Sequence, residues 1–248
     1  MIQGLYTAAN GMIAVEDRQA VIANNIANVS TNGFKRQLAI QTGYYGAYMD
    51  PSNPRALDLE VAPGGGLKTS KTFTQHTNGG ITYTGGPLDL VLIGEGFFHI
   101  RGADSDLFTR SGQFTINANG TLITSEGLPV LDVEGNEIDV SGGFARFDSN
   151  GNLLVDDENR ATLAIVAFDD PHGLNRVGTN LYLASQEMMD QSAQAENTTL
   201  VVQSLEASNV QTVEEIIGMI IAQRAYEANS KVIQTSDEML QLANNVRR

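Results

Sequence analysis

The two ends of the chain carry the same signature, an apolar stripe at alternating spacings of three and four residues, and it constrains the fold more than anything between them. Near the start, Leu5, Ala8, Met12, Val15, Gln19, Ile22, Ile26 and Val29 keep this spacing, with Gln19 the single polar member. Such a stripe is the a/d seam of a coiled coil, since each member falls on one helix face. It stops in Ser30-Thr31-Asn32-Gly33, where a glycine can take the left-handed conformation that closes a helix. The pattern predicts one helix from about Gln3 to Asn28, with Asn32 and Gly33 as its cap.

At the other end, Thr212-Val213-Glu214-Glu215 has the form of a capping box, with Thr212 accepting from the backbone and Glu215 reaching back. Beyond it Met219, Ala222, Tyr226, Asn229, Ile233, Ser236, Leu240 and Ala243 repeat the spacing, widened by Ala225, Val232, Met239 and Val246. Small residues in alternate layers let a partner helix approach closely. An apolar stripe usually faces the core of its own domain. Two long heptad helices at opposite ends, reached through an extended connector, are instead expected to bury against each other and against other subunits. The candidate interface residues are Leu5, Met12, Val15, Ile22, Ile26 and Val29, with Phe34 just beyond, and then Met219, Ala222, Tyr226, Ile233 and Leu240.

The middle has a different texture. Ile81-Thr82-Tyr83, Leu88 to Ile93, Phe97 to Ile100, Leu107-Phe108-Thr109, Leu122-Ile123-Thr124 and Leu163 to Phe168 are short β-prone runs, and Asn78-Gly79, Asn119-Gly120 and Asn150-Gly151 are dipeptides that close hairpins. Between Tyr44 and Gly66 stand Pro51, Pro54, Pro63 and three consecutive glycines, which predict an extended connector. The expected architecture is a mainly β central domain with long N- and C-terminal α-helices forming a coiled-coil-like assembly module. Its divisions are 1–35, 36–75 (connector), 76–204 (β domain) and 205–248.

With 248 residues and 42% hydrophobic composition the chain can bury a sizeable core. The longest apolar stretch near the start is broken by Glu16, Asp17 and Arg18, so a membrane span is not expected. Met1 to Ala14 lack the pattern of a secretory signal, so export is expected to use another route. The net charge of -14 argues against nucleic acid. It is unevenly placed: residues 1 to 48 hold three basic and two acidic side chains and residues 201 to 248 four and six, leaving most of the acidity in a solvated middle. The absence of cysteine excludes disulfides and thiolate metal sites.

No catalytic constellation stands out. Gly94-Glu95-Gly96 resembles the start of a dinucleotide fingerprint, but His99 occupies the third glycine position and no helix pattern follows. Asp148-Ser149-Asn150-Gly151-Asn152 has its glycine two places too early for a calcium loop and reads as a hairpin turn. Asp156-Asp157-Glu158 and Asp169-Asp170 could supply the carboxylates of a secreted carbohydrate-active enzyme. Adjacent strand residues point to opposite faces, however, which favours solvated strand ends. His76, His99 and His172 have no companions at ligand spacing. The reading is a non-enzyme without cofactor or metal.

Four stretches carry a resemblance. Ile22-Ala23-Asn24-Asn25-Ile26-Ala27-Asn28-Val29-Ser30-Thr31-Asn32-Gly33-Phe34-Lys35-Arg36 resembles the segment that closes the first helix of flagellar rod and hook proteins. Thr84-Gly85-Gly86-Pro87-Leu88-Asp89-Leu90 with Gly94-Glu95-Gly96-Phe97-Phe98, Phe108-Thr109-Arg110-Ser111-Gly112-Gln113-Phe114, and Leu205-Glu206-Ala207-Ser208-Asn209-Val210 running into Gln223 to Lys231 agree in order. The resemblance implies an axial subunit of the bacterial flagellar basal body, distal or proximal rod or hook. It would leave the cell through the flagellar export apparatus, polymerise through its terminal helices with itself and other rod and hook proteins, and transmit torque. In a Gram-negative cell the rod would lie in the periplasmic space. Gly86 departs from the asparagine that usually precedes Pro-Leu-Asp in this family.

Overall fold

A computed structural model describes residues 2–43, 67–103, 105–195 and 198–245. Helix α1 (Ile2–Ala27) opens the chain, helix α3 (Thr212–Asn245) ends the described part, and a one-turn helix α2 (Gln186–Asp190) lies between them among short strands. The chain is thus a mainly β central region between two long helices. It divides into two compact units, one built from residues of 1–27, 37–74 and 211–248, the other from 28–36 and 75–210.

In the helical unit α1 and α3 pack along most of their length. Gly11 lies against Asn229 and Gly218 against Ile22, so the helices run antiparallel. Strands β1 (Gln37–Gly43) and β2 (Leu67–Thr74) form an antiparallel hairpin with an irregularity between Ile40 and Gln41. Polar side chains fix it on α1: Gln41 Nε2 donates to the Ala14 carbonyl at 2.7 Å, and the Asn25 amide donates to the Gln37 carbonyl at 2.8 Å while accepting from the Gln37 N–H at 2.9 Å. Leu38 and Ile40 alternate with these contacts and are exposed.

This corrects the reading of 36–75 as a connector. Its described ends are paired strands, because Leu38-Ala39-Ile40 and the threonines of β2 suit a half-buried pleat. The proline and glycine cluster from Tyr44 to Gly66, like Val246, lies outside the described residues. Likewise residues 28–35 and 205–210, grouped with the helices from the sequence, belong to the β unit.

The β unit holds a six-stranded antiparallel sheet in the order β13 (Asn175–Val177), β14 (Leu181–Leu183), β6 (Asp106–Thr109), β5 (Phe97–Arg101), β12 (Ile165–Ala167), β15 (Ala193–Gln194). Beside it are a three-stranded sheet, β9 (Ala145–Phe147), β10 (Asn152–Val155) and β11 (Glu158–Thr162), and the pairs β3 (Ile81–Tyr83) with β17 (Ser204–Glu206), β4 (Leu90–Ile93) with β16 (Thr199–Val202), and β7 (Phe114–Ile116) with β8 (Leu122–Thr124). One core gathers Leu90, Leu92, Phe98, Phe114, Leu122 and Leu153; a second gathers Phe97, Phe108, Phe168, Leu174 and Tyr182. Burial of such side chains contributes about 1.5–3 kcal/mol each.

Two of the three Asn-Gly dipeptides turn as expected, with Gly120 and Gly151 at φ values of 85° and 81°. Asn78-Gly79 does not close a hairpin. A Cβ at Gly79 would fall 1.9 Å from the Ala207 carbonyl oxygen, so glycine there permits close backbone approach instead.

Candidate functional site

Two regions carry the sequence-derived candidates. Along α1, Val15 and Ile22 are buried and Leu5, Met12 and Ile26 half-buried; along α3, Ala222 is buried and Met219 and Ile233 half-buried. The seam therefore serves the helix pair inside one subunit. Tyr226 and Leu240, each 38% exposed, lie at its margin. Val29 and Phe34 stand in the β unit, where Phe34 is fully buried under the Arg176 guanidinium, 4.3 Å from its ring centre. Sequence reasoning passed over the opposite side of α3. There Val213, Ile216, Ile217 and Ile220 are 47–70% exposed, on the face turned away from Ala222 at about 3.6 residues per turn. The paired isoleucines at 216–217 and 220–221 were the available signal, since a helix apolar on all sides is a buried helix.

The caps differ from expectation in place. Helix α1 ends at Ala27, and Gly33, at φ 70°, serves the later turn in which the Phe34 N–H donates to the Thr31 carbonyl at 3.3 Å. Asn32 donates through its side chain to Gln113 Oε1 at 3.2 Å, and its carbonyl accepts from the Asn180 amide at 3.0 Å. Thr212 is the first helical residue of α3, and the Glu215 N–H already donates to the Gln211 carbonyl at 3.1 Å; Glu215 itself is buried.

The second region is a polar knot inside the β unit, assembled from stretches that lie far apart in sequence. Gly33 N–H donates to the Glu206 carbonyl at 2.7 Å, and Lys35 Nζ donates to Glu206 Oε1 at 2.6 Å and to the Thr77 carbonyl at 2.9 Å. The same carboxylate oxygen accepts from the Gly79 N–H at 2.7 Å. Lys35 and Glu206 each have 1% of the side chain exposed. Burial pulls the Lys35 ammonium below the usual lysine range, while the Glu206 carboxylate pulls the other way. Arg176 donates to the Lys35 carbonyl at 2.9 Å. Arg110, also buried, donates to the Gly94 carbonyl at 2.8 Å over the Phe97 ring, which gives the Gly94-Glu95-Gly96 turn a structural role. Burial holds Arg110 and Arg176 below their ordinary range.

The remaining candidates are turn and packing residues. Asp156 and Asp157, at φ 52° and 69°, are the two-residue turn between β10 and β11, a geometry with both central residues left-handed. Asp170 accepts from the His172 N–H at 3.0 Å. His76 and His172, distant in sequence, meet at 5.7 Å between ring centres, with His76 also against Phe97 and Tyr182. Burial first, then His172, Lys35, Arg110 and Arg176, lower His76 to about 4. Burial pushes Tyr182 up to about 12. His99 stacks on Phe108 and faces Asp106 at 3.3 Å. Among the described residues no three His, Cys, Asp or Glu gather as a metal site, and no helix is long and apolar enough to cross a membrane.

Three protein-family models match the chain: flagella basal body rod protein over residues 5–35, flagellar hook protein FlgE/F/G D1 domain over 91–160, and flagellar basal body rod FlgEFG protein C-terminal over 201–246. The flagellar basal-body rod protein FlgG of Bacillus subtilis is 34% identical over the whole of both chains, and that of Agrobacterium fabrum is 37% identical over 96% of this chain and 97% of its own. This chain belongs to the flagellar basal-body rod protein family. The rod family also includes the FlgF protein of Caulobacter vibrioides, 31% identical over 96% of this chain and 95% of its own. As a member it is a structural subunit of the basal-body rod, not an enzyme, and assembles with other axial proteins of the flagellum. The stretches at 22–36, 108–114 and 205–210 contribute Gly33, Lys35, Arg110 and Glu206 to the buried knot, and Thr77, Gly79 and Arg176 join it from elsewhere in the β unit.

Proposed function

We propose that this rod subunit polymerises through the outward faces of its terminal helices, the seam between α1 and α3 being consumed within each subunit. One observation carries the reading: Val213, Ile216, Ile217 and Ile220 present an uncovered apolar stripe on the side of α3 opposite Ala222. A second copy is the occupant, because an identical helix pair repeated on an open lattice covers each stripe with a neighbour and never closes into a ring. Many modest contacts then add up along the polymer at about 25 cal/mol per Å2 of apolar surface. In this reading the helices form a coiled-coil-like inner tube, torque passes along it, and the chain reaches the rod through the flagellar export apparatus, with the rod in the periplasmic space of a Gram-negative cell. The subunit is of the FlgG kind, since relatives of that name reach 37% identity and the FlgF relative 31%.

The test replaces Ile217 and Ile220 together by aspartate in a strain lacking the wild-type chain. The doubly substituted protein is expected to be exported, to keep the helix content and melting behaviour of the wild-type monomer, and to be missing from purified basal bodies. Normal incorporation and swimming would exclude the stripe as the subunit interface.

A further inference from the structure

The chain passes between the two units four times, at 27/28, 36/37, 74/75 and 210/211. On the β-unit side of these crossings one side chain gathers the strands. Asn209 Oδ1 accepts from the Arg36 N–H at 2.7 Å, and Asn209 Nδ2 donates to the carbonyls of Gln75 at 2.9 Å and Thr77 at 3.0 Å and to Thr77 Oγ1 at 3.1 Å. Its own N–H donates to the Phe34 carbonyl at 3.4 Å, and the Gln75 N–H donates to the Arg36 carbonyl at 2.9 Å. The nine residues 28–36 lie between the first two crossings, 75–77 follow the third, and Asn209 itself stands just ahead of the fourth.

These partners select the residue type. A planar amide offers an acceptor on one side and two donors on the other, and here a backbone N–H faces its oxygen while two carbonyls face its nitrogen. Aspartate would keep the first bond and set a carboxylate against both carbonyls. Serine is too small to span them. Tension along the segments entering from α1 or leaving toward α3 would otherwise peel 33–36 from 206–209 bond by bond. With Asn209 in place the same tension loads bonds to three segments together.

We propose that Asn209 is a positioning residue that ties the chain crossings into one load-sharing clamp, so that the β unit resists force applied through the terminal helices. The inference rests on the rod-subunit reading for its purpose, but its test does not require assembly.

The full chain, which has no cysteine, is tethered in a single-molecule force instrument through cysteines added at its two ends, and separately through cysteines replacing the exposed Glu134 and Val177 in the β unit. Wild type, Asn209→Asp and Asn209→Ser are compared. With end tethers the variants are expected to unfold at least about tenfold faster at fixed tension, the equivalent of one lost hydrogen bond. With the internal tethers their rates should match wild type. Equal acceleration in both geometries, no acceleration at the ends, or variants already unfolded before loading would each overturn the clamp. Incorporation of the wild-type chain into basal bodies, scored separately, tests the rod reading by itself.

Discussion

The Lys35 ammonium stands 2.6 Å from Glu206 Oε1 across 171 positions of sequence, with both side chains withdrawn from water. Removing one partner leaves an uncompensated buried charge, a cost of about 3–5 kcal/mol. Glu206→Leu should therefore lower the thermal midpoint of the β unit sharply. Lys35→Met combined with Glu206→Leu should recover much of that loss, since an apolar pair of similar volume avoids stranding a charge. Calorimetry of the two single variants and the double variant checks this; a double variant as unstable as the sum of the singles refutes it.

Gly33 combines a φ of 70° with the Arg110-Ser111 backbone close against it. A Cβ there would come 2.7 Å from the Ser111 nitrogen and 2.9 Å from the Arg110 carbonyl carbon. Gly33 stands within the β unit, so that unit itself is expected to bear the cost of a side chain there. Gly33→Ala is expected to cost at least about 1–3 kcal/mol from backbone strain and Gly33→Val more, both read as a lower denaturant midpoint of the β unit.

His76 yields a pH signature. Its folded-state value of about 4 lies below the ordinary 6.5, so the unfolded chain binds the extra proton first. Stability from this group is complete above about pH 6.5 and is lost as the pH falls toward 4, at no more than about 1.4 kcal/mol per pH unit. The wild-type midpoint should drop across that window more steeply than that of His76→Gln. Parallel curves would show that His76 does not titrate on unfolding.

Within the helical unit, Gly11 leaves room for Asn229: an added Cβ would lie 3.0 Å from Asn229 Nδ2. Gly11→Ala should be tolerated if the amide turns aside, whereas Gly11→Leu should force the helices apart and cost about 1–3 kcal/mol, the usual range for overpacking. Helix content of the isolated chain, followed by circular dichroism on heating, separates the two. Equal melting of Gly11→Leu and wild type would mean that this contact does not set the helix register.

What the sequence determined by itself is local and periodic. The three-four spacing of apolar residues makes both terminal helices legible, with α1 ending one residue before the expected Asn28 and α3 beginning at the expected Thr212. The β-prone runs at 81–83, 97–100 and 122–124 became strands, and the motif stretches pointed to the rod family. Tertiary structure decided everything that depends on which distant segments meet. Periodicity marks an apolar face but not its partner, so the seam could not be divided between the helix of the same subunit and the helix of another; packing assigns it to the former and leaves Ile216, Ile217 and Ile220 outside. Identical Asn-Gly dipeptides diverged because Gly120 and Gly151 sit in turns at positive φ, with Ser141 and Leu200 also close against them, while Gly79 is governed by the approach of Ala207. Three-residue strands such as β3 and β17 are too short to show a period, and the pairing of 33–36 with 206–209 is a long-range closure that no local propensity encodes. Lys35, Glu206 and Asn209 read as ordinary surface types in sequence; only that closure takes Lys35 and Glu206 out of water and turns the hydrogen-bonding capacity of all three into structure.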